Sequence, residues 1–268
     1  MASVAPPSPI SAAGRPKLLV GKRVCLFCDF NFEDMELMYP KMRLEEEGAT
    51  VLVVGAHEKG MKYTGKHGEC ESLPRVPSSA RFLRHRTHNS PSLAGYPIKS
   101  DESVETVDAS TFDALVIPGG FAPDYMRRSA KMLEICVAMA EAGKPVASIC
   151  HGPWMLCRFA SIPALLSRLV PASTLQGETR VCACSARRKD GSPLAKGIQC
   201  TCFAAIKDDL INAGAQYVDA PVVVSGPFIT SRLPSDLTPF SHAIIDQIVS
   251  GRGATVAGAG ADPVETYL

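Results

Sequence analysis

One cysteine of this chain stands where a cysteine can do chemistry. The segment Pro145-Val-Ala-Ser-Ile-Cys150-His151-Gly152-Pro153 runs from short apolar residues into a Gly-Pro pair. Such a run reads as a β-strand turning sharply into a helix: Gly152 permits the turn and Pro153 suits the first helical position. Unpaired amides and the dipole at a helix N-terminus stabilise negative charge, and these conditions lower a thiol pKa. A thiolate held there is a nucleophile for a carbonyl carbon. A cysteine without such context is more often a small buried apolar residue, which is the reading for the rest of the ten.

Two further segments supply partners. Asp29-Phe-Asn-Phe-Glu33-Asp34 follows the first apolar run and brings carboxylates to the same edge of a sheet. Glu33 is the expected neighbour of the thiol. If protonated it would donate to a thiolate and hold it, and if ionised it would raise the thiol pKa by repulsion. Pro118-Gly119-Gly120 ends another apolar run, and its missing side chains let backbone N–H groups approach a ligand oxygen as an oxyanion hole. Each has a plainer reading, Glu33 as a first-turn helix acid and Gly119-Gly120 as a tight turn. His151 adjoins the cysteine, but consecutive side chains generally diverge, so spacing alone makes it a packed histidine as readily as a base. Cys182-x-Cys184 and Cys200-x-Cys202 have one-residue spacings where structural zinc sites use two to four, so no metal is expected.

Positioning these groups falls to alternating elements. Apolar strands are expected at 23–28, 50–54, 114–118 and 145–149. Helices are expected at 33–47, closed by Gly48, at about 123–142, closed by Gly143, and from Pro153 onward. The alternation implies an α/β doubly wound, largely parallel sheet with helices on both faces. Two stretches, about 69–95 and 158–195, break the period and read as insertions; because the flanking motifs resume in frame, translated intron sequence would account for both. Residues 1–21 read as a disordered N-terminal tail rich in Ala, Ser and Pro, 22–250 as one domain, and 251–268 as a disordered Gly/Ala-rich tail. With 46% hydrophobic and 21% charged residues and a net charge of +1, nothing in the composition suggests binding to nucleic acid or an anionic membrane. The N-terminus lacks a signal-peptide pattern and no apolar run is long enough to span a bilayer, so a reducing, cytoplasmic location is expected.

Four motifs then become recognisable: Phe32-Glu33-Asp34-Met-Glu-Leu, Tyr63-Thr-Gly-Lys-His67-Gly68, Phe112-Asp-Ala-Leu-Val-Ile-Pro-Gly-Gly120-Phe-Ala-Pro and Lys144-Pro-Val-Ala-Ser-Ile-Cys-His-Gly-Pro153. They resemble the PfpI family of intracellular cysteine peptidases and deglycases, within the class I glutamine amidotransferase-like superfamily, as does the later run Asp208 to Asp219. The resemblance implies a flavodoxin-like sandwich without a cofactor, with Cys150 as nucleophile, His151 as acid/base or orienting group, Glu33 hydrogen-bonded to the sulfur, and Gly119 and Gly120 at the oxyanion site. In peptidase-like members an acid just after the Gly-Gly loop comes from a neighbouring subunit. Here that position is Asp124, on a shorter stem than the usual Glu, and a homo-oligomer is implied. The common Ser-Arg-His-Pro-Gly-Asp pattern becomes Ser231-Arg232-Leu233-Pro234-Ser235-Asp236. The interruption near Arg158 also cuts into the helix after Cys150, so a reactive thiolate is expected on condition that this helix forms.

Three functions follow as expectations. The first is an enzyme whose thiolate adds to a small-molecule aldehyde, its glycation adduct or a peptide bond; the shorter Asp124 acid favours the aldehyde or deglycase form over the peptidase form. The second is a non-enzymatic oxidative-stress sensor or chaperone-like protein using an oxidisable cysteine. The third is a homologue inactivated by its insertions.

Overall fold

A computed structural model describes residues 16–66, 95–157, 188 and 191–251. The core is a seven-stranded sheet. Its first strand, β1 (Arg23–Cys28), lies between β2 (Thr50–Gly55) and β6 (Ala114–Ile117), both parallel to it. Beyond β6 come β7 (Val146–Ile149) and β11 (Phe228–Ser231), also parallel, and then β10 (Val222–Ser225), which is antiparallel to β11. The short β5 (Glu102–Ser103) closes the other edge beside β2. Two small two-stranded sheets stand apart, pairing β3 (Lys62–Thr64) with β4 (Pro97–Lys99), and β8 (Gln199–Cys200) with β9 (Gln216–Tyr217). The central strands read as unbroken apolar runs because both faces are covered: every residue of β6 and of β7 is buried.

The chain leaves β1 through helix α1 (Asp34–Glu46) to β2 on one side, and leaves β6 through α2 (Ala122–Met126) and α3 (Ala130–Glu141) to β7 on the other. Right-handed crossovers running in opposite directions put α1 and α3 on opposite faces, and they make a switch point between β1 and β6. The last helix, α5 (Leu237–Ser250), packs on β10, β11 and α1 and is closed by Gly251 at φ 63°. A shorter α4 (Lys207–Asn212) packs beside β9. The expected α/β doubly wound, flavodoxin-like fold is what the chain adopts.

Local expectations need four corrections. The single helix expected at 123–142 is two, because Ser129 takes an extended conformation and caps α3, its hydroxyl accepting from Met132 N–H at 3.3 Å. After Pro153 there is only a 3₁₀ turn, Gly152–Leu156, ended by Cys157 in an extended conformation. Of the tail expected at 1–21, residues 1–15 lie outside the described residues and Leu19 belongs to the core, fully buried with its N–H donating to Glu47 O at 2.8 Å. The second interruption is also shorter at its end, since Leu194 and Ala195 belong to the core and Ala195 N–H donates to Leu156 O at 3.0 Å. The bulk of both insertions and of the C-terminal tail lies outside the described residues. No described helix is long and apolar enough to cross a membrane.

Candidate active site

Cys150 terminates β7 with φ +60°, one of two non-glycine residues with positive φ among the described residues. An L-residue with a Cβ is strained there by about 1–2 kcal/mol. Two hydrogen bonds hold it, its N–H to Ser231 O at 3.0 Å and its C=O from Phe203 N–H at 3.0 Å. Gly152 lets this turn press against the end of β6, since a Cβ on it would stand 2.7 Å from Ile117 O. The bent backbone turns the side chains of Cys150 and His151 together, with Sγ and Nδ1 3.3 Å apart. The divergence expected of consecutive side chains is thereby overturned. His151 is also packed, its ring 5.1 Å from Trp154 edge-on and 5.1 Å from Phe203.

The carboxyl at the sulfur belongs to Glu36 and not to Glu33. Glu33 is the N-cap of α1, its Oε2 taken by Glu36 N–H at 2.8 Å. One turn further on, Glu36 is on the face of α1 that meets the sheet and is fully buried. Its Oε2 accepts from Gly119 N–H at 2.8 Å. Its Oε1 is buried without a well-formed hydrogen bond, and the Cys150 thiol is the neighbour that interacts with this carboxyl. Burial pushes the Glu36 carboxyl up to about 8, helped by the charge of Glu33 and opposed by Gly119 N–H, the Cys150 side chain and Lys66. Burial also raises the Glu33 carboxyl, against the pull of Glu36 N–H.

The thiol itself is not lowered by the turn. Burial, leaving Cys150 8% exposed, pushes it well above the ordinary thiol range, and the charge of Glu36 adds to that. The backbone N–H groups of Gly120 and His151 pull the other way. Two negative charges cannot share so enclosed a site, so Glu36 and Cys150 titrate as one pair that gives up protons in separate steps.

The Gly-Gly loop does more stitching than expected. Gly119 N–H is occupied by Glu36, and Gly120 N–H is directed to the sulfur, so the pair is not an empty oxyanion cradle. Gly119 has no room for a side chain: a Cβ would lie 2.6 Å from Glu36 Oε2 and 2.7 Å from Cys150 Cβ. Gly120, at φ +72°, bridges to Phe32, and Phe121 N–H donates to Asn31 O at 2.9 Å, which ties the loop after β6 to the loop after β1. Asp124 lies on α2 with its side chain about half exposed (49%), paired with Arg128 one turn on. Within one chain it is engaged there. No cluster of three His, Cys, Asp or Glu side chains suited to a metal ion occurs among the described residues.

Two features escaped sequence reasoning. Glu36 occupies a core position of α1 together with buried Leu37, Pro40 and Leu44. A carboxyl on the apolar stripe of a helix was the available signal. Phe203, distant in sequence, carries no motif.

With this geometry established, the comparisons are decisive about kinship. The model of the DJ-1/PfpI family matches residues 22–164 and 191–247. The chain belongs to this family. The unmatched gap, 165–190, falls inside the second interruption. Among curated relatives of the DJ-1/PfpI chain is a deglycase of Pyrococcus abyssi, 37% identical over 215 residues, which cover 80% of this chain and 92% of that one. YraA of Bacillus subtilis, named provisionally as a cysteine protease, is 33% identical over 223 residues, 83% of this chain and 96% of the relative. A two-domain Anabaena variabilis protein with DJ-1/ThiJ/PfpI-like and ferritin-like domains superposes with TM-score 0.59 at 31% identity, over 87% of this chain and 49% of that one. Drosophila melanogaster DJ-1beta shares the fold, with TM-score 0.55 at 19% identity over 87% of this chain and 93% of the other.

Proposed function

We propose that the protein is a cysteine-dependent enzyme acting on reactive carbonyl compounds, of the deglycase or glyoxalase type, with Cys150 as nucleophile. The observation that carries this reading is the strained Cys150, its sulfur set against the Glu36 carboxyl and 3.3 Å from His151 Nδ1. Names of relatives, a deglycase among them, agree with it. Once the Glu36 carboxyl has lost its proton it can take the thiol's proton as the sulfur attacks, and the developing negative sulfur accepts from Gly120 and His151 N–H. The sulfur then adds to an aldehyde carbon. A C–S bond forms, the π pair moves to oxygen, and that oxygen takes a proton relayed through His151, giving a hemithioacetal. The aldehyde form is favoured over peptide hydrolysis because the acid after the Gly-Gly loop is Asp124, on a shorter stem than the Glu usual in peptidase-like members.

The test supplies methylglyoxal and a fluorogenic peptide in turn to wild type and to Cys150→Ser. Methylglyoxal turnover falls on the order of 10³-fold or more in the variant, as expected when a nucleophile is removed. Equal rates in both proteins would exclude Cys150.

One observation also favours the sensor reading. A carboxyl that keeps its proton up to about pH 8 can donate to a sulfinate oxygen on Cys150 as well as to a thiolate. Mild peroxide followed by peptide-resolved mass spectrometry would then show oxidation at Cys150 in preference to the other cysteines, and uniform oxidation would remove this reading.

A further inference from the structure

We propose that Phe203 and the Trp154–Asp209 pair are positioning residues for the Cys150-His151 dipeptide, and that they replace the helix that the turn at Gly152 would otherwise begin. The inference rests on the proposed role of Cys150. The segment after His151 is a 3₁₀ turn of five residues, too short to carry a useful dipole. It contributes one ring, Trp154, and the rest of the restraint comes from the far side of the second interruption. Phe203 acts twice: its N–H donates to Cys150 O at 3.0 Å, and its ring lies 5.1 Å from the His151 ring at an interplanar angle of 32°. Trp154 makes a second ring contact with His151, edge-on at 5.1 Å and 62°, and it is itself fixed by Nε1–H donating to Asp209 Oδ2 at 2.7 Å. Asp209 lies in the first turn of α4, so a helix some fifty residues downstream sets the orientation of Trp154.

The consequence is chemical. An imidazole in contact with two rings has few orientations, and the one selected puts Nδ1 beside Sγ. Loosening either contact lets the ring rotate about its χ angles and takes Nδ1 away from the sulfur, without touching the sulfur or Glu36. Ser231 O still holds Cys150 N–H in that case, so the elbow stays bent while the imidazole drifts.

The experiment measures the rate of Cys150 alkylation by iodoacetamide against pH, by peptide-resolved mass spectrometry, alongside methylglyoxal turnover. The proteins are wild type, Phe203→Ala, Phe203→Leu, Phe203→Tyr, Trp154→Phe and Asp209→Ala. Phe203→Ala lowers both rates roughly 10- to 100-fold at neutral pH and changes the shape of the alkylation profile. Phe203→Tyr restores both and Phe203→Leu does not, because the leucine fills space without presenting a ring. Asp209→Ala and Trp154→Phe give the same direction with a smaller loss. Far-UV and near-UV circular dichroism identify variants that keep the fold, and the comparison uses those. A folded Phe203→Ala with the wild-type profile overturns the proposal, as does full restoration by Phe203→Leu. If wild type does not turn over methylglyoxal, the proposed function falls while the alkylation profiles still decide the positioning claim.

Discussion

The two sides of Cys150 are held by different means. On the side of β1 and β6, neighbouring strands deliver their loops to one edge of the sheet. The loops are joined by two backbone contacts, the Phe32–Gly120 bridge and Glu33 N–H to Gly119 O at 3.3 Å, and by Gly119 N–H donating to the Glu36 carboxyl. On the side of β7 the chain makes one 3₁₀ turn and then relies on side chains from 203 and 209. The first side is rigid because glycines let backbones touch. The second is held by aromatic packing, which tolerates change in smaller steps. The first side should therefore fail abruptly when a single atom is added, and the second gradually as rings are trimmed.

Gly119→Ala is the sharpest test of that contrast. The new methyl would stand 2.6 Å from Oε2 of the fully buried Glu36, 2.7 Å from Cys150 Cβ and 2.9 Å from the His151 backbone nitrogen, and the last two cannot swing aside. We expect a loss of turnover of roughly 100-fold and a destabilisation of about 1–3 kcal/mol, measured by steady-state kinetics and urea unfolding. Gly120→Ala adds left-handed strain at φ +72° to a contact of 2.5 Å with Asn31 O, and should destabilise at least as much. If Gly119→Ala turned over at the wild-type rate, the two sides would not differ in the way described.

The next test separates Glu36 from Glu33 by pH. The pair of Glu36 and Cys150 gives up its first proton near the Glu36 value of about 8, so Cys150 alkylation in wild type should rise as pH passes through that range. Glu36→Gln removes the group that titrates there, so the rise near 8 disappears, and the thiol, relieved of the Glu36 charge but still raised by burial, ionises at lower pH than it does in wild type. Glu33→Gln leaves the rise in place or shifts it slightly down, because the Glu33 charge is one cause of the high Glu36 value. It should instead destabilise the fold by about 0.3–1 kcal/mol, because Gln keeps an acceptor for Glu36 N–H but loses the charge at the start of α1. Stability carries its own sign. The Glu36 value is raised in the folded state from 4.5 to about 8, so the folded chain binds a proton that the unfolded chain has released between those limits. The contribution is fully present below about 4.5 and is lost as pH rises to about 8, at up to about 1.4 kcal/mol per pH unit. Glu36→Gln should flatten this slope in urea titrations run at several pH values.

The same contrast explains what the sequence disclosed. The strands on both sides announce themselves as apolar runs, β6 ending in Gly-Gly and β7 in Cys-His-Gly-Pro, and the placing of Cys150, His151, Gly119 and Gly120 at one edge of the sheet is legible from those endings. Glu33 and Glu36 are three residues apart on one helix, and the motif alone could not say which faces the sheet. The burial of Leu37, Pro40 and Leu44 decides it. A reactive thiol inferred from the turn takes no account of burial, which here outweighs the local amides. Phe203 and Asp209 were illegible for a different reason: they lie beyond a long aperiodic stretch, and a contact made by tertiary folding across it leaves no local pattern.

Asp124 offers the smallest expected effect and the finest distinction. It comes just after the Gly-Gly loop, at the position where the family resemblance predicts an acid donated to a neighbouring subunit. In one chain its carboxylate pairs with Arg128 across a helical turn, and both side chains are largely exposed. A pair of that exposure contributes about 0–1 kcal/mol at most, so the carboxylate can be drawn away by a better partner at little cost. For attack on a small aldehyde the acid is not needed, and Asp124→Ala should change methylglyoxal turnover by no more than about 2- to 3-fold. Peptide hydrolysis requires protonation of an amine leaving group, and any peptidase activity should fall far more in the same variant. Parallel loss of both activities would mean that the side of Cys150 facing α2 takes part in the chemistry through a carboxylate, and the division between a backbone-stitched side and a ring-packed side would have to include a third, ionic one.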